Sequence, residues 1–264
     1  MSIDRDGRRL SCRTLGDGPP LLLVNGYAAS SADWDPTLLS CLQRSFTVVC
    51  PDNRGIGGSE LADPSELTID SMAADMSALL DDLGFDRLPV AGWSMGGFVA
   101  QALAAREPER VGALVVLSSH PGGSGSVRAP AEVWRALTDH SGTPREQASR
   151  LIALLFPPAV APQMDRDFGE LVAAARRELR FDTLSAQEAA IQAWYATEPP
   201  AADIGAPSVL AVAGSEDVVV PPGNLQVLAA RWPDCRTELF DRGGHAFMAQ
   251  EPERVAALIE EFAL

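Results

Sequence analysis

Short unbroken apolar runs, each stopped by turn residues, alternate along this chain with segments of helical period. Pro20-Leu21-Leu22-Leu23-Val24, stopped by Asn25-Gly26, and Phe46-Thr47-Val48-Val49-Cys50, stopped by Pro51-Asp52, have strand length. Arg8 to Thr14 reads as a further strand, ending at Gly16-Asp17-Gly18-Pro19. Continuous rather than alternating apolarity marks strands covered on both faces, as in parallel sheets. Ile69, Met72, Ala73, Met76, Leu79, Leu80 and Leu83 recur at helical spacing. With Thr68 to cap the start and Gly84 the end, they predict a helix. A strand over Arg87 to Ala91 leads through Gly92-Trp93-Ser94-Met95-Gly96 into a helix running to about Arg106, and Ala113 to Leu117 is the next strand.

The rhythm then breaks at His120-Pro121-Gly122-Gly123-Ser124-Gly125. From about 121 to 203 the pattern is helical only, interrupted by Pro157-Pro158 and Pro199-Pro200. Strands resume at Pro207 to Ala213 and Thr237 to Phe240, with helices over Asn224 to Arg231 and from about Phe247 to Phe262. The order predicts an α/β fold with a mostly parallel, doubly wound sheet. Its core domain is built from 1–120 and 204–264, with a helical segment, 121–203, inserted between them.

Composition narrows the chemistry. A chain of 264 residues suffices for one large α/β domain. Twenty-one basic residues face 36 acidic ones, a formal charge of -15, and so acidic a surface repels phosphate backbones; no nucleic-acid partner is expected. Every basic residue is Arg. Without Lys there is no Schiff-base chemistry, no lysine-anchored pyridoxal phosphate and no Walker A motif. Cys12, Cys41, Cys50 and Cys235 form no C-x-x-C pair and read as buried or half-buried thiols. Three histidines, His120, His140 and His245, are too few for a multi-histidine metal centre, so neither metal nor cofactor is expected. The first ten residues are charged and hold no apolar h-region, and no run of about 18 apolar residues occurs. A cytoplasmic protein with a small-molecule substrate and no membrane association is the expectation.

The sharpest chemical signal is G-x-S-x-G at 92–96, between a predicted strand and a predicted helix. Small residues two positions either side let a tight turn close around a strained nucleophile, and the following helix aims its first N–H groups at developing negative charge. Ser94 is therefore the candidate nucleophile. A serine hydroxyl needs a base. His245, in Gly243-Gly244-His245 after a predicted strand, is the first choice; His120 follows the strand after the nucleophile, and His140 lies inside the helical insertion. The imidazole needs an acid to fix its tautomer. Asp217, followed by Val218 to Val220 and Pro221-Pro222, is preferred over its neighbour Glu216. Oxyanion donors are expected from the backbone N–H groups of Met95 and of Tyr27, the latter in Val24-Asn25-Gly26-Tyr27.

Together these motifs resemble the α/β-hydrolase-fold serine hydrolases, over nearly the whole chain. Asp52-Asn53-Arg54-Gly55-Ile56-Gly57-Gly58-Ser59 is similar to that family's D-x-R-G-x-G-x-S turn, with Arg54 read as a structural tie between loops. Gly214-Ser215-Glu216-Asp217 is similar to its acid loop, and Gly244-His245 with Glu251-Pro252-Glu253 to its histidine loop. The resemblance implies that 121–203 is a helical cap over the pocket and that the activity is a cofactor-free esterase or lactonase one. Many relatives carry His-Gly where this chain has Asn25-Gly26, which places Asn25 and Gly26 beside the expected pocket, with Asn25 able to hydrogen-bond substrate without titrating. Trp93 and His120, and from the insertion Trp134, Trp194 and Tyr195, are the further pocket candidates, although helix packing accounts for the insertion's aromatics equally well. The substrate expected is neutral and fairly hydrophobic. Two alternatives stay open. One is a lyase, cyclase, acyltransferase or C–C-bond-acting enzyme of natural-product tailoring, suggested by the Lys-free, Arg- and Ala-rich composition. The other is a ligand receptor on the same fold.

Overall fold

The computed structural model describes residues 2–5, 8–198, 207–232 and 234–264. Its strands are β1 (Ser2–Arg5), β2 (Arg8–Leu15), β3 (Pro20–Val24), β4 (Thr47–Pro51), β5 (Leu88–Trp93), β6 (Val111–Leu117), β7 (Ser208–Gly214) and β8 (Arg236–Phe240). They join in one sheet in the order β1-β2-β4-β3-β5-β6-β7-β8. The pairs β1–β2 and β2–β4 are antiparallel and every other pair is parallel.

The apolar runs are buried on both faces, as their continuity requires. Leu21 and Leu23 of β3 pack with α1 (Pro36–Leu42) and α9 (Pro252–Ala263). Leu22 and Val24 pack on the opposite face, with α2 (Ile69–Leu83), α3 (Met95–Arg106) and α8 (Asn224–Arg231). In β7, Leu210 and Val212 share the first cluster while Val209, Ala211 and Ala213 share the second. The fold is thus an α/β sheet wound on both sides.

Among the described residues four helices stand between β6 and β7: α4 (Ala131–Leu137), α5 (Pro144–Leu155), α6 (Ala161–Arg177) and α7 (Phe181–Ala196). The expected break at Pro199-Pro200 and the expected return to the core at 203/204 lie outside the described residues. The α2 helix has the expected ends, with Thr68 in a capping box with Ser71 and Gly84 left-handed at the C-cap. Two differences have local causes. The last helix begins at Pro252 rather than near Phe247, because Phe247–Ala249 forms a separate 3-10 turn and Glu251 leaves the helical region. The β5 strand runs on to Trp93, carried through Gly92 by parallel pairing with Val116 and Leu117.

Arg54 acts as the tie its turn suggested. It grips Asp75 of α2 through Nε at 2.6 Å and Nη2 at 2.7 Å, and donates to the carbonyls of Glu66 and Ser71. Cys12 and Cys50 are buried, and Cys41 and Cys235 half-buried. Among the described residues no helix is long and apolar enough to cross a membrane, and no three His, Cys, Asp or Glu side chains gather where they could hold a metal ion.

Candidate active site

Ser94 sits on the turn between β5 and α3 with φ 55° and ψ -120°. A side-chain-bearing residue at positive φ is strained and persists only where its surroundings over-determine it. Here the Ser94 N–H donates to Leu117 O at 2.9 Å, and Ser94 O accepts from the Gly97 N–H at 2.9 Å and the Ser119 hydroxyl at 2.8 Å. The motif glycines make the turn possible. A Cβ on Gly92 would stand 2.2 Å from Gly96 O, and one on Gly96 would stand 2.2 Å from Val24 O.

His245 and Asp217 come from loops at the ends of β8 and β7. The two loops lock backbone to backbone, with the Glu216 N–H donating to Gly243 O at 2.8 Å. His245 Nδ1 lies 2.8 Å from Asp217 Oδ2. The carboxylate's other oxygen accepts the N–H groups of Val219 and Val220 at 2.9 and 2.8 Å, so both residues stay buried and fixed. A carboxylate at Nδ1 assigns the proton to that nitrogen and leaves Nε2 as the acceptor. The Trp93 indole N–H donates to His245 O at 2.9 Å, and the two rings lie 5.3 Å apart. The residue next to Ser94 thereby holds the histidine loop.

Ser94, His245, Tyr27 and Trp93 line one cavity of about 1030 Å³. Its far wall comes from the helical insertion, including Leu151, Ile152, Leu155, Met164, Phe168 and Leu171, and is predominantly apolar.

The loop after β3 packs directly on the serine turn: a Cβ on Gly26 would lie 3.2 Å from Ser94 Cβ. The Gly26 N–H is taken by Asn25 Oδ1 at 2.9 Å and the Ala28 N–H by Gln187 Oε1 at 2.9 Å. The Tyr27 N–H between them meets no acceptor among the described residues. The Met95 N–H is the first of α3, where N–H groups lack intrahelical acceptors.

Several expected pocket residues are corrected by the structure. Asn25 is buried and spends its side chain on its own loop, donating to Ser30 O at 2.5 Å and accepting from Gly26, so it does not line the cavity; nor does Gly26. His120 is also absent from the lining. Its ring is packed between Phe98, at 4.4 Å, and Tyr195, at 4.0 Å, and Nδ1 accepts the Gly122 N–H. Burial, and next the Arg128 cation, push it down to about 3. Trp134, Trp194 and Tyr195 join the core cluster on the α2/α3 side, with Trp194 stacked on Phe98, and fasten the insertion to the core without lining the cavity. A helical apolar stripe does not reveal whether it faces a core or a cavity.

Sequence reasoning passed over the polar contacts from α7 to the loop after β3. Tyr27 OH donates to Glu188 Oε1 at 2.6 Å, and the same oxygen meets His140 Nε2 at 2.8 Å. Burial and this carboxylate push the Tyr27 phenol up. His140 Nδ1 lies 3.4 Å from the Arg176 guanidinium, an acceptor position that keeps the imidazole's proton on Nε2. Glu188 carries no local sequence signal, since its partner lies 161 positions away.

A family model for the alpha/beta hydrolase fold matches residues 19–252, and the chain belongs to that family of hydrolases. The chain is 31% identical over 236 residues to a Caulobacter segnis protein named "Putative carbamate hydrolase RutD", covering 88% of this chain and 86% of the relative. It is 26% identical to the pimeloyl-acyl-carrier-protein methyl ester esterase of Aeromonas hydrophila, covering 96% of this chain and 98% of that one. Among solved structures, the fold matches the meta-cleavage product hydrolase CumD of Pseudomonas fluorescens IP01 with TM-score 0.83 at 20% identity, covering 99% of this chain and 96% of that one. It matches the esterase RhEst1 of Rhodococcus sp. ECU1013 with TM-score 0.81 at 22% identity, over 99% and 96% of the two chains.

Proposed function

We propose that the chain is a serine hydrolase cleaving a carboxylic ester or lactone of a fairly hydrophobic small molecule, with Ser94, His245 and Asp217 as nucleophile, base and acid. The observation that carries this reading is the buried His245–Asp217 pair opening, with the strained Ser94 turn, into one apolar cavity. Ser94 Oγ attacks the carbonyl carbon while His245 Nε2 takes its proton, and Asp217 stabilises the imidazolium. The Tyr27 and Met95 N–H groups hold the oxyanion. As the tetrahedral adduct collapses, the imidazolium returns the proton to the leaving alcohol oxygen. Water, deprotonated by the same nitrogen, then splits the acyl-enzyme. The insertion serves as the lid that excludes bulk water from this sequence of steps and shapes the acyl pocket. The esterase names among the relatives support the ester reading.

Ser94→Ala is expected to lower turnover of p-nitrophenyl esters by about 10⁴-fold or more while the protein stays folded, and to abolish fluorophosphonate labelling. Full retained activity overturns the assignment. A carbamate ester is the second reading, favoured by the 31% identical relative. A matched pair of p-nitrophenyl ester and carbamate, compared by kcat/KM, decides between them.

A further inference from the structure

We propose that Gln187 and Glu188, neighbours on α7, are positioning residues that hold loop 25–28 so that the Tyr27 N–H points at the substrate oxygen. The proposal deepens the hydrolase reading, because it takes the Tyr27 N–H as an oxyanion donor.

The loop needs an external hold. Ala28 has φ 57°, a left-handed conformation that an alanine adopts at a cost and keeps only when its surroundings demand it. The orientation of the Tyr27 N–H depends on the peptides on either side of it. On one side, the Ala28 N–H is fixed by Gln187 Oε1 at 2.9 Å. Tyr27 itself is fixed at the tip of its ring by Glu188 Oε1 at 2.6 Å. Both anchors come from the insertion, not from the sheet that carries Ser94.

Gln187 is fully buried, and its Nε2 has no partner among the described residues. Leaving a buried donor unpaired is unfavourable. A glutamine there therefore has one visible task, the bond from its oxygen to Ala28. Glu188 is steadied in turn by His140 Nε2 at 2.8 Å. Neither Gln187 nor Glu188 lines the cavity, so each acts through the loop without touching substrate. The consequence is that α7 sets the rate of the chemical step: displacing it from the core would release the donor even with Ser94, His245 and Asp217 in place.

The test separates this from a plain packing role. Gln187→Met keeps the volume and removes the acceptor, whereas Gln187→Glu keeps the acceptor. Tyr27→Phe and Glu188→Leu remove the second anchor from either end, and together they form a double-mutant cycle. The measurements are kcat and KM on a p-nitrophenyl ester, the affinity for phenylboronic acid, whose serine adduct presents an oxygen to the oxyanion donors, and Tm. Gln187→Met and Tyr27→Phe should each lower kcat about tenfold, part of the roughly 10²–10³ lost when a donor is removed outright. KM should stay within about twofold, and boronate affinity should weaken by the same factor as kcat, as a contact made mainly in the transition state requires. Gln187→Glu should restore most of the rate, and the Tyr27→Phe/Glu188→Leu double variant should be no slower than Tyr27→Phe. Unchanged kcat and boronate affinity in folded variants overturns the proposal, as does a loss confined to KM or additivity across the cycle. Should Gln187→Met fail to fold, the cycle at the partly exposed Tyr27–Glu188 pair decides the matter by itself. Ser94→Ala serves as control. An active Ser94→Ala sinks the hydrolase reading itself, while an inactive one beside unaffected loop variants sinks only the positioning role.

Discussion

Among the described residues two histidine–carboxylate pairs of equal length stand, one in the core and one in the insertion. His245–Asp217 and His140–Glu188 are each 2.8 Å apart. The first is sealed, with side chains 3% and 0% exposed; the second is open, at 17% and 22%. What separates them is the far nitrogen and the far oxygen. Asp217 is closed off by two backbone N–H groups, and the His245 ring faces the cavity beside Ser94. Glu188 takes the Tyr27 phenol on the very oxygen that meets His140, with no such closure on its other oxygen among the described residues, and the far nitrogen of His140 lies against Arg176. A carboxylate at hydrogen-bond distance thus does not make an imidazole a base; an unoccupied second nitrogen in a cavity with a nucleophile does. The largest expected effect breaks the symmetry directly. His245→Gln should cut kcat on p-nitrophenyl esters by about 10⁴-fold or more, whereas His140→Gln, whose amide can still donate to Glu188, should cost under about tenfold. Comparable losses would mean that the open pair takes part in proton transfer and that the roles of the two histidines are wrongly divided.

The sealed and open environments also divide the arginine–carboxylate pairs. Arg54–Asp75 in the core has side chains 4% and 9% exposed, against 36% and 30% for Arg145–Asp165 between α5 and α6. Removing one partner of a buried pair leaves an uncompensated charge and costs about 3–5 kcal/mol. Arg54→Leu should therefore lower the denaturation midpoint by that equivalent in urea titrations, with kcat of the folded fraction nearly unchanged. Arg145→Leu should barely move Tm, because solvent replaces the lost partner. Equal shifts would show that burial is not what distinguishes the two regions.

The same division explains what could be read from the sequence. The strand–turn–helix around Ser94 was legible because its demand is written in residue type: Gly92 faces Gly96 O inside the turn and Gly96 faces Val24 O of β3, and neither place has room for a Cβ. Asp217 was distinguishable from Glu216 through the residues after it, and Val219 and Val220 are the ones whose N–H groups hold its carboxylate. The aromatics of the insertion were not legible as to direction. Trp134, Trp194 and Tyr195 have the helical spacing of a buried stripe, but spacing says nothing of whether a stripe meets the core or an empty volume, and these meet the core. The α7 anchors were invisible for a different reason: Gln187 and Glu188 find their partners 159 and 161 residues away, across the junction of insertion and core.

The third histidine supplies the smallest effect and the control on the comparison. Among the described residues His120 meets no carboxylate, and it does not line the cavity that holds Ser94. Its Nε2 is buried without a partner among the described residues, and its neighbours are the rings of Phe98 and Tyr195, with the Arg128 cation over Tyr195. Burial first, and Arg128 second, hold it down at about 3 in the fold, against 6.5 for an ordinary histidine. The folded pKa lies below the unfolded one, so between these values the unfolded chain binds a proton that the folded chain refuses. The neutral imidazole costs the fold nothing above about pH 6.5, and stability is lost progressively as pH falls from there toward 3, by at most about 1.4 kcal/mol per pH unit. His120→Phe removes this proton while keeping a ring in the stack. Urea denaturation between pH 4 and 8 should therefore show a shallower acid limb for the variant, with the two curves parallel above pH 7. An unchanged acid limb would mean that His120 takes its proton inside the fold as readily as outside it, and that the carboxylates alone set the acid stability of the core.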